Sequence, residues 1–303
     1  MKKVFIDGSA GTTGLRIYER LSSRKDIQLI TLPEKTRKDI NARRDALNSA
    51  DIAFLCLPDD AARESVSLVS NPSTAIIDTS TAHRVNPDWV YGLPELSGQR
   101  ERVKSSKRVA NPGCHATGFI VLVAPLVEAG IIAKNEALSC FSLTGYSGGG
   151  KGMITQYDDE GRDVLLDAPR QYGLTQKHKH LPEMTKLSGL EVSPAFCPIV
   201  GPYYAGMEVT VSLFNRDMKA IADCYMDYYK DGVVHFAENA DEGGFISAGK
   251  FAGRDDLEVS IYGNGERILL VSRFDNLGKG ASGAAIQNMN ILLGVNETEG
   301  LNV

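Results

Sequence analysis

The sequence predicts an α/β protein in two parts: a parallel sheet built from βαβ units, then a domain whose sheet is largely antiparallel. Three observations predict it. Short apolar strands alternate with helical patterns from Lys3 to Asp78, a glycine-rich turn joins the first strand to the first helix, and beyond Asn111 strand-like segments recur. A chain of 303 residues also has the length of two ordinary domains.

Lys3-Val-Phe-Ile-Asp7 is a short β-rich run, followed by Gly8-Ser-Ala-Gly11-Thr-Thr-Gly14 and then Leu15, Ile17, Tyr18 and Leu21 at helical spacing. A second strand, Ile27 to Leu32, leads into the charged stretch from Pro33 to Asp39. A third, Ile52 to Leu57, stops at Pro58, where Asp59 and Asp60 suit the first turn of a helix. A fourth, Ala75 to Asp78, ends in Thr79-Ser80-Thr81. Asn111-Pro-Gly-Cys-His115 is turn chemistry opening an apolar helix over 117–129. Strand patterns follow at Leu138 to Leu143, Met207 to Leu213, Leu257 to Tyr262 and Arg267 to Phe274, and the segment from Gly278 to Leu293 ends as a helix.

Composition narrows the function. The chain is 43% hydrophobic and 23% charged with a net charge of −5, so nothing in its bulk electrostatics recruits nucleic acid or an acidic membrane surface. The longest apolar stretch, Thr117 to Ala133, is broken by Pro125, Glu128 and Gly130, and a membrane span is not expected. Met1-Lys2-Lys3 is a basic start, but only three apolar residues follow before Asp7, so a signal peptide is not expected. Five cysteines, an odd number without paired spacing, argue for a reducing compartment, and a cytoplasmic enzyme is the default.

The glycine turn is the first motif with chemistry. Gly8, Gly11 and Gly14 depart from the G-x-G-x-x-G pattern but lie between a strand and a helix, where backbone N–H groups approach a pyrophosphate. Thr12 and Thr13 add hydroxyls. A bare strand-to-helix turn is the competing reading, and the placement favours a dinucleotide. After the second strand Lys35, Arg37 and Lys38 outnumber Glu34, which leans towards a 2′-phosphate and NADP(H) over a solvated loop.

Cys114, following a Pro-Gly turn at a helix start, sits where the helix field lowers a thiol pKa. Cys56 and Cys140 lie in apolar strands and read as small buried hydrophobes. Its proton partner is sought in His178-Lys-His180-Leu-Pro-Glu183, where Pro182 and Glu183 begin a helix and Glu183 orients a histidine or caps that helix. Nothing completes a zinc shell around the two histidines, so no metal is expected. Tyr146-Ser-Gly-Gly-Gly-Lys151 offers N–H donors and one cation to an oxyanion, with Ser147, Gly148 and Lys151 as candidates, although flexible turns look alike. Arg84 has the planar fork for a carboxylate.

Together with Tyr91-Gly-Leu-Pro-Glu95 and Asp275-Asn-Leu-Gly-Lys-Gly-Ala-Ser-Gly283, these motifs resemble, in order and over nearly the whole chain, the N-acetyl-gamma-glutamyl-phosphate reductases of arginine biosynthesis. The length and the bare Cys56-Leu-Pro-Asp-Asp60 segment are similar to the compact second type. The resemblance implies a Rossmann-type doubly wound sheet in an NADP-binding domain, residues 1–113 completed by the C-terminal helix (278–303). It also implies an α+β catalytic and dimerisation domain, 114–277, as in the semialdehyde dehydrogenases. It places the nucleophile on Cys114 and the acid/base on His178 or His180. Asn276 falls where the superfamily reaches the nicotinamide amide, and Ser80, Cys56 and Pro58 line the cofactor groove. Glu95 and Asn111 join the substrate side. A homodimer or homotetramer acting on a small acyl phosphate is expected. His115 stands where the longer type often has Tyr, which bears on the pocket lining.

Two other readings share these features. Aspartate-semialdehyde dehydrogenase performs the same chemistry on a shorter substrate, but its cysteine is usually followed by Asn. A non-catalytic NADP-binding regulator needs neither Cys114 nor the histidine pair.

Overall fold

The computed structural model describes residues 1–303, in two compact units: Met1–Pro112 with Ala281–Leu301, and Gly113–Gly280 with Asn302–Val303. The first unit holds strands β1 (Lys2–Asp7), β2 (Ile27–Ile30), β3 (Ile52–Leu55), β4 (Ala75–Asp78), β5 (Val90–Tyr91) and β6 (Arg108–Ala110). They form one sheet in the order β2-β1-β3-β4-β6-β5, and every neighbouring pair is parallel.

Helices α1 (Thr12–Ser22), α2 (Ile40–Ser49), α3 (Asp59–Ser67) and α4 (Gln99–Ser105) connect these strands. Side chains alternate across the sheet, so each strand feeds two cores. Val4, Ile6 and Phe54 pack with Ile17 and Leu21 of α1 and with Ile286 and Met289 of the C-terminal helix. Phe5, Ala53 and Leu55 face the other way, onto Ala46 and Leu47 of α2 and Ala62 of α3. Two covered faces make the sheet doubly wound. Asp39 caps α2 by accepting the Ala42 N–H at 2.8 Å.

The second unit carries β7 (Ser139–Gly145), β8 (Arg170–Gln171), β9 (Ala195–Gly201), β10 (Met207–Phe214), β11 (Val234–Phe236), β12 (Leu257–Gly263) and β13 (Arg267–Phe274), ordered β11-β12-β13-β10-β7-β9-β8. The sheet is largely antiparallel; β7 with β9 and β11 with β12 are its parallel pairs. Its helices are α5 (Cys114–Glu128), α6 (Gly150–Asp158), α7 (Leu181–Ser188) and α8 (Met218–Tyr228), and α9 (Gly283–Leu293) is the C-terminal helix of the first unit.

Helix α5 is buried from His115 to Val127. It lies close on the sheet at Gly118, where a Cβ would stand 2.4 Å from Val209 Cγ2. On its other side Tyr225 and Tyr229 donate their hydroxyls to the Leu122 and Val121 carbonyls at 2.5 and 2.6 Å. The first residue of α5 is therefore held by a rigid frame, and that residue is Cys114.

Several elements differ from the sequence reading. The second and third strands end at Ile30 and Leu55, short of Leu32 and Leu57. Strands β5 and β6 were not expected, being only two and three residues long. Nor was β9, whose interior Pro198 cannot donate to a ladder. The segment before α9 is a π-turn, Gly278–Ser282, rather than a continuous α-helix.

Candidate active site

In the first unit a cavity of about 480 Å³ opens beside the end of β1, lined by residues that include Gly8, Gly11, Arg37, Lys38, Arg43 and Cys56. The glycine turn is closed on itself. Gly8 has φ +88°, and a Cβ there would meet the Cys56 carbonyl oxygen at 2.3 Å; one on Gly14 would meet the Gly8 carbonyl oxygen at 2.4 Å. Only glycine allows this turn to sit against β3 and lead directly into α1, whose N-cap Gly11 has no capping side chain. The first-turn N–H groups of α1 thus have no capping side chain and suit a pyrophosphate. Beneath the turn Asp7 accepts from Arg43 Nε and Nη2, both at 3.1 Å, and from Ser65 Oγ at 2.8 Å. The groove has the glycine cradle, the helix N-terminus and the cations that a dinucleotide needs.

In the second unit Cys114 is the first residue of α5, partly exposed, with Gly113 as N-cap. The Gly113 N–H donates to Glu183 Oε2 at 3.1 Å, and Glu183 Oε1 stands 4.0 Å from His180 Nε2. Glu183 lies in the first turn of α7, whose N-cap is His180, so one turn of helix carries both groups to the start of α5. His178 accepts the His180 backbone N–H on Nδ1 at 3.2 Å, an arrangement that leaves the ring proton on Nε2. The His178 and His180 ring centroids are 4.8 Å apart.

A third imidazole joins them. His115 lies 5.7 Å from His178 and 5.6 Å from His180 by ring centroid. Its Nδ1 is 2.6 Å from Ser142 Oγ and its Nε2 2.7 Å from the Tyr172 hydroxyl. Burial, with smaller electrostatic contributions from His178 and Lys179, holds the His115 pKa down to about 3, so it is neutral at working pH. Across the turn Gly278–Ser282 the backbone closes on the thiol: a Cβ on Gly280 would stand 2.9 Å from Cys114 Cβ. Burial pushes the Cys56 thiol up to about 12 and raises that of Cys140, so neither is an active nucleophile. No group of three metal-ligating side chains gathers anywhere in the chain.

Comparison with known proteins places this arrangement. Residues 3–106 match the semialdehyde dehydrogenase NAD binding domain and 114–276 the semialdehyde dehydrogenase dimerisation domain. An N-acetyl-gamma-glutamyl-phosphate reductase of Rhizobium meliloti is 45% identical over 96% of this chain and 98% of its own length. N-acetyl-gamma-glutamyl-phosphate reductase 2 of Pseudomonas putida is 43% identical over 98% of each. The chain belongs to the N-acetyl-gamma-glutamyl-phosphate reductase family. Aspartate semialdehyde dehydrogenase II of Vibrio cholerae, in a complex with ASA, shares the fold with a TM-score of 0.71 at 15% identity, covering 97% of this chain and 98% of that one. So does the Candida albicans aspartate semialdehyde dehydrogenase solved with NADP, with a TM-score of 0.69 at 18% identity over 97% and 98% of the two chains.

As a member of this reductase family the chain is an oxidoreductase with a domain for a nicotinamide cofactor. Within the second unit the structure brings Cys114, His178 and His180 together, as described. Asn276 donates to Ser147 Oγ at 3.0 Å and accepts the Gly206 N–H at 2.9 Å, so its amide pins the Ser147–Gly148 turn to the start of β10. Lys151 is exposed one residue into α6.

In the first unit Lys35 is exposed and outside the cavity lining, and Lys38 takes its place beside Arg37. Thr12 and Thr13 begin α1 beside Gly11, and Pro58 caps α3. Ser80 donates to Asp78, which also receives His83 Nδ1 at 2.6 Å. Three residues expected on the substrate side are tied inside this unit. Arg84 donates to the Asn111 and Thr79 carbonyls, both at 3.0 Å. Asn111 donates to the Ala281 carbonyl, and Glu95 accepts from Gln287 on α9 at 2.8 Å. These contacts hold loops and α9 in place. Ser142 and Tyr172 escaped sequence reasoning: they lie 27 and 57 residues from His115, and no local motif marks them.

Proposed function

We propose that this chain catalyses the NADPH-dependent reduction of N-acetyl-gamma-glutamyl phosphate to N-acetylglutamate 5-semialdehyde with release of phosphate, a step of arginine biosynthesis. The observation that carries the reading is Cys114 at the start of α5, with the Gly113 N–H held by Glu183 in the first turn of α7 and the His178/His180 pair immediately before that helix. The relatives at 43–46% identity supply the substrate.

Cys114 gives its thiol proton to a histidine and its sulfur attacks the acyl carbon. A tetrahedral oxyanion forms, the bond from carbon to the phosphate oxygen breaks, and the histidine returns the proton to the departing phosphate. Cys114 is left as a thioester, less resonance-stabilised than a carboxylate. A nicotinamide cofactor, when bound, would supply the hydride that reduces this acyl group. The hemithioacetal oxyanion on Cys114 then re-forms a carbonyl, the C–S bond breaks, and the thiolate regains a proton through the histidine. His180 is the acid/base we favour, because Glu183 faces its Nε2, while His178 Nδ1 is engaged by backbone.

Ser147, Gly148 and Lys151 hold the departing phosphate, and the turn Gly8–Gly14 with Ser80, Cys56 and Pro58 cradles the cofactor. Arg37 and Lys38 favour the 2′-phosphate of NADP(H). The first unit is then the cofactor domain and the second the catalytic one. We assign a homo-oligomer, supported by the match to a dimerisation domain. The cytoplasm suits its five free thiols; no helix is long and apolar enough to cross a membrane.

The test is the reverse reaction: N-acetylglutamate semialdehyde, phosphate and NADP⁺, followed at the NADPH absorbance, beside aspartate semialdehyde. Turnover confined to the acetylated substrate is expected. Turnover confined to aspartate semialdehyde would overturn the substrate, and none with either would overturn the reaction.

A further inference from the structure

Three residues other than glycine hold a positive φ, and two of them, Asn215 and Asn239, are of the type most at ease there. The third is Gln176, at φ +54°, in the loop that carries His178 and His180. A residue of this kind keeps that conformation only where its surroundings hold it, and such strain gathers at working sites. What holds Gln176 is its own amide. Its Nε2 donates to the Phe196 carbonyl at 2.7 Å, and its Oε1 accepts the Phe196 N–H at 2.9 Å.

Phe196 lies on β9, beyond the stretch that β8 covers. Ile199 and Val200 pair with β8, and the Pro198 carbonyl accepts the Tyr172 N–H at 3.0 Å. There the backbone pairing ends. The chain turns away at Gly173, φ +65°, and the Gln176 N–H closes that turn on the Gly173 carbonyl at 3.0 Å. Without the amide, the Phe196 N–H and carbonyl would stand open on a strand edge. A carboxamide offers the same donor and acceptor as a backbone residue, so the Gln176 side chain extends the ladder by one place.

This pairing reaches the histidines by direct contact. Phe196 is 1% exposed, and its ring stands 5.1 Å from that of His178 at 71°. His178 Nδ1 accepts the His180 N–H at 3.2 Å, and the His180 carbonyl accepts the Met184 N–H at 2.9 Å as α7 opens. On that first turn Glu183 takes the Gly113 N–H.

We propose that Gln176 is a positioning residue: its amide latches the histidine loop, 173–180, onto β9 and so fixes where His178 and His180 stand before α7. The inference rests on the histidine pair serving Cys114 as proposed above. Gln176 acts through the histidines and not on the reacting atoms. It lies on the surface, so its hydrogen bonds add little to overall stability, and their loss is felt in the placing of the loop.

Two variants open the latch in different ways. Gln176→Asn suits the positive φ and keeps an amide, but is one methylene too short. Gln176→Met keeps the length and loses both hydrogen bonds. Each full-length variant is compared with the wild type for kcat and the KM for NADP⁺ in the reverse reaction, and for melting temperature. Tryptic cleavage after the exposed Lys177 and Lys179, located by mass spectrometry, reads the loop itself. Both variants should lose about tenfold in kcat and be cleaved faster by a similar factor, with the NADP⁺ KM and the melting temperature unchanged. An unchanged kcat or an unchanged cleavage rate in either variant would overturn the latch. A fall in kcat accompanied by a lower melting temperature and a raised KM would overturn it too, leaving Gln176 a part of the fold alone. A wild type that turned over neither semialdehyde would refute the proposed reaction, and the cleavage rates would still decide the latch.

Discussion

Glu183 reaches two functional groups with its two oxygens: Oε2 accepts the Gly113 N–H at 3.1 Å and Oε1 stands 4.0 Å from His180 Nε2. A single buried carboxylate thus ties the backbone before the nucleophile to an imidazole on another helix. Glu183→Gln keeps an acceptor for Gly113 and removes the charge. The expected result is a folded enzyme with kcat lowered by about a hundredfold, because the general acid/base is mistuned. The histidine limb of its kcat/KM profile should move to lower pH, since the carboxylate no longer favours imidazolium. A profile superimposable on the wild type would show that Glu183 only caps α7.

His115 makes stability depend on acid. Unfolded, it titrates near 6.5; folded, burial first, and then His178 and Lys179 electrostatically, hold it at about 3. Between those values the unfolded chain binds more protons, so its contribution to stability is full above about pH 6.5 and is lost as the pH falls towards 3. The loss approaches 1.4 kcal/mol per pH unit within that window. His115→Asn should flatten this slope, as read by urea unfolding at pH 7 and pH 5. Equal slopes for both proteins would contradict the neutral, buried state.

The glycine turn leaves no room for a methyl group at Gly14, where a Cβ would press on the Gly8 carbonyl oxygen at 2.4 Å. Gly14→Ala should cost about 1–3 kcal/mol of stability and weaken cofactor binding by titration calorimetry. Unchanged binding would place the cofactor elsewhere.

Arg37 and Lys38 line the same cavity. Replacing both by Glu should weaken NADPH binding by tenfold or more, in the range of lost charge-assisted contacts, and leave NADH nearly unaffected. An equal effect on both cofactors would remove these residues from 2′-phosphate recognition.

The regular features were legible because they are local. The alternation of Val4, Phe5 and Ile6 and the spacing of Ile17 and Leu21 state a strand and a helix within one window, and the two-sided burial of β1 follows. The places of Cys114 at the start of α5 and of the histidine pair before α7 were legible because a Pro-Gly turn and a helix start are written beside them. What the sequence hid is long-range. Strand β9 reads poorly because Pro198 interrupts it, yet its neighbours β7 and β8 supply the pairing. Lys38 rather than Lys35 faces the cavity because the loop after β2 turns, with Arg37 N–H bonding to the Pro33 carbonyl at 2.9 Å. Tyr172 meets His115 only after the second unit has folded, and Asn111 and Glu95 show their ties to the π-turn and α9 only in three dimensions.

The central claim is that Cys114 carries the acyl group. Incubating the enzyme with N-acetylglutamate semialdehyde and NADP⁺ in the absence of phosphate isolates that step. One equivalent of NADPH per active site should appear, with the N-acetylglutamyl mass on the peptide bearing Cys114, and phosphate should then discharge it. NADPH formed without an adduct on Cys114, or an undiminished equivalent in Cys114→Ser, would contradict the account.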